Sequence, residues 1–338
     1  MSTEFRDKQE QKLRCEKLVG RPDKWDQVIS EYDTKTLFHQ SCWLDHVLDI
    51  YPGSRIDYYR IVDDKELVGY YCAHRVKKAG IPIHGSPLGG TGTNYMGPIV
   101  NKDVDQRLLI RALTQLFGLR HFLHLEISHY WLDQSVMADL GFAVYPSVTH
   151  LVKLPENEEE AWAMLKGTAR NRARKAEKSG LQAVISEDGS VVAHFFEQFI
   201  EVYAKQNMVT PFGIERPQSL FDNLNPAGSL LPLMITYGDE VVAAGLFPYD
   251  ENCIYFWGAA SWLRHQKLCP NELLHWQVIK FAVSRGIRAY NMCGGTSQFK
   301  NKFGGEDVPY VHYSKSFTPL LQYARNWYKQ LHYWSLKN

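Results

Sequence analysis

The chain has 338 residues but only 6 cysteines, and no two of them fall in a C-x-x-C spacing. That excludes a disulfide framework and the usual zinc-ligand pattern, and reads as reduced thiols in a cytoplasmic protein. No apolar run approaches the ~20 residues of a membrane span, so any membrane contact is expected to be peripheral. A charge excess is missing as well. The 38 Lys+Arg against 37 Asp+Glu leave +1, which argues against a whole-surface polyanion binder and against DNA as partner. There is no H-E-x-x-H pair, no P-loop lysine, no full G-x-G-x-x-G turn and no G-x-S-x-G elbow. No metal site is therefore expected. His121, His124 and Glu126 are close in sequence but make no metal triad, and the glycine-rich stretch 89–97 reads as turn or groove lining. Cys293 precedes Gly294-Gly295 without a paired base, so it is not expected to act as a nucleophile. The first twenty residues are charged and polar, unlike a secretory signal.

What is present is an ordinary globular composition, with 45% hydrophobic and 22% charged residues and many aromatics (19 Tyr, 16 Phe, 9 Trp). The length suggests about two domains. Residues 1–24 read as a solvated tail or helix. A first domain over 25–155 ends at the charged break PENEEE, and a second covers 156–338 with a helix at its C-terminal end. The second half repeats the first: EVVAAGLFPYD answers ELVGYYCAHRV, and FGGEDVPYVHYSKSF answers LGFAVYPSVTHLVKL. Each half reads as hairpin, loop, helix, strand, link and strand. This predicts two copies of one α/β domain, each a mixed sheet with helices on it, with ligand expected in a cleft. Glu126 and Asn291 occupy equivalent strand positions of the two halves, which makes Glu126 a candidate acceptor contact.

One segment departs from the neutral total. Residues 166–178, KGTARNRARKAEK, hold six basic residues and one acidic. Lys166, Arg170, Arg174 and Lys178 are four apart, so on a helix they share a face. Like charges at that spacing cost roughly 0.2–0.5 kcal/mol per pair, so an anionic partner such as a phosphate is expected there. The plain alternative is a solvated face.

The C-terminal half carries the most specific pattern. Tyr255-Phe256-Trp257-Gly258-Ala259 is followed by Pro270-Asn271-Glu272-Leu273-Leu274-His275-Trp276. Then come Ala289-Tyr290-Asn291-Met292-Cys293-Gly294-Gly295 and Phe299-Lys300-Asn301-Lys302-Phe303-Gly304. This order, with the basic helix and Phe38-His39-Gln40 with Trp43, resembles the Fem-type peptidyltransferases of the GNAT acyltransferase superfamily over residues 30–318. The resemblance implies two tandem GNAT-like domains, each with a mostly antiparallel, twisted sheet flanked by helices. It implies transfer of an aminoacyl group from aminoacyl-tRNA to an amine, without metal, ATP or bound cofactor. It also implies a cell-envelope acceptor and contact with the tRNA acceptor end by a monomer. Lys300 and Phe299 match the family's pair beside the reacting ester. Arg216, Tyr255, Trp257 and Asn271 match acceptor-binding positions, and Lys166, Arg170, Arg174 and Lys302 would hold donor phosphates.

Two departures qualify this. The lysine that nucleotide-linked acceptors meet in the early helix is absent, since the sequence there is Asp45-His46-Val47-Leu48-Asp49. The glycine-rich pyrophosphate turn of acyl-CoA enzymes is also missing, because Arg264-His265-Gln266-Lys267 stands in its place. The alternatives are a CoA- or carrier-thioester N-acyltransferase acting on a sugar, lipid or secondary metabolite, and a non-catalytic RNA- or glycan-binding module.

Overall fold

The computed structural model describes residues 13–78, 80–118, 122–323, 325 and 327. The expectations for residues 1–12, for His121 and for a helix beyond 327 lie outside these. The strands are β1 (Leu13–Lys17), β2 (Arg55–Asp63), β3 (Glu66–Lys78), β4 (Ile81–Ser86), β5 (Pro98–Val100), β6 (His124–Ser128) and β7 (Ala143–Lys153). They continue with β8 (Leu181–Ile185), β9 (Leu230–Tyr237), β10 (Glu240–Pro248), β11 (Cys253–Tyr255), β12 (Gly258–Ser261), β13 (Ala289–Asn291) and β14 (Glu306–Ser316). The helices are α1 (Trp25–Ile29), α2 (Ser41–Ile50), α3 (Gln106–Thr114), α4 (Gln134–Asp139), α5 (Glu158–Met164), α6 (Gly167–Lys178), α7 (Ser190–Ala204), α8 (Glu215–Leu224) and α9 (Pro270–Ser284).

Two compact units emerge, and they are not a linear division near residue 155. Of the described residues, those within 1–41, 51–146 and 310–338 form the first and those within 42–50 and 147–309 the second. The first unit regains the last segment because β14 pairs antiparallel with β6, Tyr313 opposite Ile127. Its strands run β1-β2-β3-β4-β6-β14, with β5 on β3. The β2–β3 hairpin turns on Asp64, whose φ of +50° suits Asp. Its core holds Tyr59, Tyr71, Leu109, Leu113, Phe122 and Leu125. Asp105 and Asp133 cap α3 and α4 through their side chains. Residues 13–17, predicted as tail or helix, form a strand on β2. Leu13 is buried, while Glu16 pairs with Arg14 and Arg60. That alternation spans only five residues inside a charged stretch, too short for periodicity to reveal.

In the second unit β12-β10-β9-β8 form one antiparallel sheet. The end of β7 pairs with β13, and β13 pairs in parallel with β11. Helix α9 packs over both sets of strands, its Leu273, Leu274, Val278, Ile279 and Ala282 fully buried with Phe247, Ile254 and Tyr290. Helix α6 buries Ala169, Ala173 and Ala176 in the same core, and these small residues let the charged helix lie close against it. No helix among the described residues is long and apolar enough to cross a membrane.

Candidate functional site

The segment after β10 runs through two pairings. Cys253–Tyr255 lies parallel to β13, Ile254 opposite Tyr290. Gly258–Ser261 instead pairs antiparallel with β10, Leu246 opposite Gly258. Between them Phe256 N donates to Asn291 O at 2.8 Å, and Trp257 N turns back to Tyr255 O at 3.1 Å. The strands splay at Phe256–Trp257, where the chain makes a tight turn, so Tyr255 and Trp257 do not share one face of a continuous strand. Phe256 packs edge-on to His275, 4.9 Å between rings, while Trp257 faces Phe195 and Phe212. Tyr255 is buried.

On the Phe256 side stands the N-terminus of α9. Asn271 Nδ2 donates to Ser261 Oγ at 3.0 Å, tying the helix start to the end of β12. Glu272, 6% exposed, accepts from Arg172 at 2.8 Å and from Lys302 Nζ at 2.9 Å. Its negative charge sits in the first helical turn, where the macrodipole favours an anion. Lys302 Nζ also lies 5.0 Å from the Phe299 ring centre. Phe299 packs on His275 and Phe303. His275 accepts or donates a 2.7 Å hydrogen bond with Tyr290, and burial pushes its pKa down to about 3, so it is neutral.

The loop after β13 is drawn together by its own polar groups. Cys293 has φ +53°, and Thr149 Oγ1 donates to Asn291 Oδ1 at 2.5 Å. Lys300 Nζ donates to the carbonyls of Cys293 and Gly295, the latter at 3.1 Å. Partial burial lowers its pKa. Thr296 donates to Asp307, which also bonds His150 Nδ1 at 3.0 Å. The fold closes over glycine at two points. A Cβ on Gly304 (φ +84°) would meet Met164 at 2.8 Å, and one on Gly305 would meet His150 Nε2 at 2.6 Å.

On the Trp257 side an aromatic face continues through Phe195, Phe199 and Phe212. The Arg216 guanidinium lies 5.3 Å from Phe212, and burial lowers its pKa. Beside it, Ser219 Oγ donates to Asp49 at 3.0 Å and meets His46 Nδ1 at 3.0 Å, and Asn223 donates to Asp49 at 2.8 Å. Burial pushes the His46 pKa down to about 3. Because the Ser219 proton goes to a carboxylate, this trio is a packed joint between α2 and α8 and not an activated nucleophile.

The basic ladder forms the predicted helix, yet its middle members are engaged by neighbouring residues of the same unit. Arg170 donates to the carbonyls of Ala163 and Leu165 at 2.8 Å each, closing the corner after α5. Arg174 stacks on Trp162 at 5.1 Å. Lys166 is exposed, and its backbone N donates to Lys302 O. From this helix it is Arg172 that joins Lys302 at the α9 start, and sequence spacing passed over it because it lies off the i, i+4 row. Arg264 and His265 are held by Glu240. Glu126 belongs to the first unit, where its carboxylate accepts from Arg325 and Gly89 N. Among the described residues no three His, Cys, Asp or Glu side chains are grouped to hold a metal ion.

This arrangement has counterparts. Residues 165–301 match the acetyltransferase (GNAT) domain family. This likeness spans less than half of the chain. Its matched span contains Arg172, Arg216, the β11–β12 splay, the start of α9, Phe299 and Lys300. A crystal structure of FemX superimposes with a TM-score of 0.71 at 12% identity, over 88% of this chain and 96% of that one. A conserved protein of unknown function from Bacteroides thetaiotaomicron VPI-5482 gives 0.57 at 9% identity, over 87% and 96%. At these identities the likeness is one of fold. No curated protein matches the chain in sequence. The GNAT-like α/β fold and the acyltransferase class expected from the sequence are borne out, and the likeness to FemX is one of fold.

Proposed function

We propose that this GNAT acyltransferase forms an amide on an amine acceptor, taking an aminoacyl group from aminoacyl-tRNA. The observation that carries the choice of donor is the start of α9. A helix N-terminus binds pyrophosphate through free backbone N–H groups. Here Pro270 has no N–H, and the buried Glu272 carboxylate already brings an anion to the first turn. Phosphate is therefore left to side-chain cations, Arg172 and Lys302 with Lys166 nearby, and these suit a single phosphodiester better than the pyrophosphate of a CoA thioester.

In this reading the terminal adenine stacks on Phe299, and the splay at Phe256–Trp257 receives the reacting ester. The acceptor amine attacks the ester carbonyl, and the oxyanion that forms is stabilised by the partly desolvated Lys300. The C–O bond then breaks and the ribose hydroxyl leaves with the proton lost by the amine, carried through water or the substrate. Arg216 takes an acidic group of the acceptor, with Trp257, Tyr255 and Asn271 shaping the channel. Holding both reactants supplies much of the rate. The sequence resemblance to the Fem-type peptidyltransferases gives the reading its context in the cell envelope, and the chain shares its fold with FemX.

The test is a filter-retention assay with pooled charged tRNAs and candidate amines. Transfer of labelled amino acid into acid-stable product is expected. If no charged tRNA supports transfer while acetyl-CoA does, the donor assignment is wrong and a thioester-dependent N-acyltransferase replaces it.

A further inference from the structure

The segment after β14 is helical at 319–323, with helical positions also at 325 and 327. Its amphipathicity is inverted relative to an ordinary surface helix. The polar residues point into the protein: Gln322 donates to Ser314 at 3.3 Å, and Arg325, 10% exposed, is paired with Glu126 on β6. The apolar residues point out: Leu320 is 78% exposed, Tyr323 73% and Trp327 59%. At 100° per residue, spacings of three and seven place these three on one stripe. Phe317, 56% exposed, leads into it. Large apolar side chains gathered on one exposed stripe mark a docking surface, whereas singly scattered ones need no explanation. The Glu126–Arg325 pair fixes which face is outward.

The charge of the same stretch selects the partner. Residues 308–338 contain no Asp or Glu; Arg325 is matched by Glu126 and Lys315 donates to Leu140 O, and the sequence adds Lys329 and Lys337 together with Tyr328, Leu331, Tyr333 and Trp334. An exposed stripe of Leu320, Tyr323 and Trp327 in an acid-free stretch of net positive charge suits the interface of an anionic bilayer, where the rings sit at headgroup level and cations meet lipid phosphates. A second copy of this chain would instead bring two such cationic stretches together. We propose that this stripe docks the protein on an anionic lipid surface, lying on the membrane and not spanning it. The proposal does not depend on which acyl donor is used.

The test is co-sedimentation of the full chain with phosphatidylcholine vesicles, with and without roughly one-third phosphatidylglycerol. Binding is expected on the anionic vesicles, weakened by added salt. Tyr323→Ser with Trp327→Ser should weaken it by about tenfold or more, with the thermal midpoint unchanged because both side chains are exposed. Lys329→Glu with Lys337→Glu should weaken binding to the anionic vesicles only. The proposal is overturned if the full chain stays in the supernatant with anionic vesicles at low salt, or if the Tyr323/Trp327 double variant pellets as well as the parent. It is equally overturned if velocity sedimentation shows a dimer that the double variant abolishes and vesicles that capture neither protein.

Discussion

Replacing Glu272 by Gln probes the joint on which the donor reading rests. The substitution keeps the shape and removes the charge that faces both Arg172 and Lys302 at 2.8 and 2.9 Å. Two unit charges 4 Å apart interact by about 4 kcal/mol at an effective dielectric of 20. Breaking a buried pair by deleting one partner costs about 3–5 kcal/mol. Glu272 is buried, but Arg172 is half exposed and water screens it, so the figure must be reduced. Gln also retains an acceptor oxygen for one of the two cations. A net loss of about 2 kcal/mol is expected, which lowers the melting temperature by about 4–8 °C for a unit of this size. Calorimetry of the full chain measures it. The control is Glu158→Gln, which breaks an exposed pair with Lys280 and should move stability by less than about 0.5 kcal/mol. If Glu272→Gln melts within about 1 °C of the parent, the carboxylate is not the countercharge of the cluster. The start of α9 is then not already filled by an anion, and it is open to a pyrophosphate.

Four other outcomes follow from the same structure. Lys300→Met should cut acyl transfer by about 10²–10³-fold, as removal of an oxyanion partner does. It should also speed hydrogen exchange in 293–303, because the carbonyls of Cys293 and Gly295 lose their shared donor; unchanged transfer refutes the assignment. Gly304→Ala puts a Cβ against Met164 in a left-handed conformation and should cost about 2 kcal/mol or more by urea unfolding, whereas a silent change would mean that the loop yields freely. Burial depresses the pKa of His39, His46 and His275 to about 3, and of His74 and His129 to about 4. The unfolded chain therefore binds protons that the folded one refuses, so stability is full above the unfolded value near 6.5 and falls as pH drops toward the folded values. Urea midpoints should decline steadily from pH 6.5 to 5, and a flat profile would contradict the burial of these rings. Arg172→Ala should weaken binding of charged tRNA more than Arg170→Ala does, since Arg170 is spent on the carbonyls of Ala163 and Leu165; equal losses in a filter-binding titration would contradict this.

Several elements were legible in the sequence because their signals are local. The β2–β3 hairpin followed from two apolar runs around Asp63-Asp64. The basic helix followed from its spacing, and α9 from the helix expected after the hairpin of the second half. The order of motifs from Tyr255 to Gly304 pointed to the acyltransferase class. The strand at 13–17 was not legible, since its alternation is brief and its partners, Tyr59 to Asp63, lie beyond α1 and α2 in the chain.

Sequence by itself determined which residue types are available: an uncommon concentration of positive charge at 166–178, aromatics at 255–257 and 299–303, and no metal or nucleotide motif. Only the tertiary structure decided how they are used. Spacing along a helix shows which cations share a face, but not which of them meets a buried carboxylate a hundred residues on. So Arg170 and Arg174 serve the α5–α6 corner, while Arg172 and Lys302 gather at Glu272. Glu126 stands on a strand as expected, yet its charge is matched by an arginine far along the chain. Charge pairing, burial and the facing of a helix all depend on neighbours distant in sequence, and the fold alone supplies them.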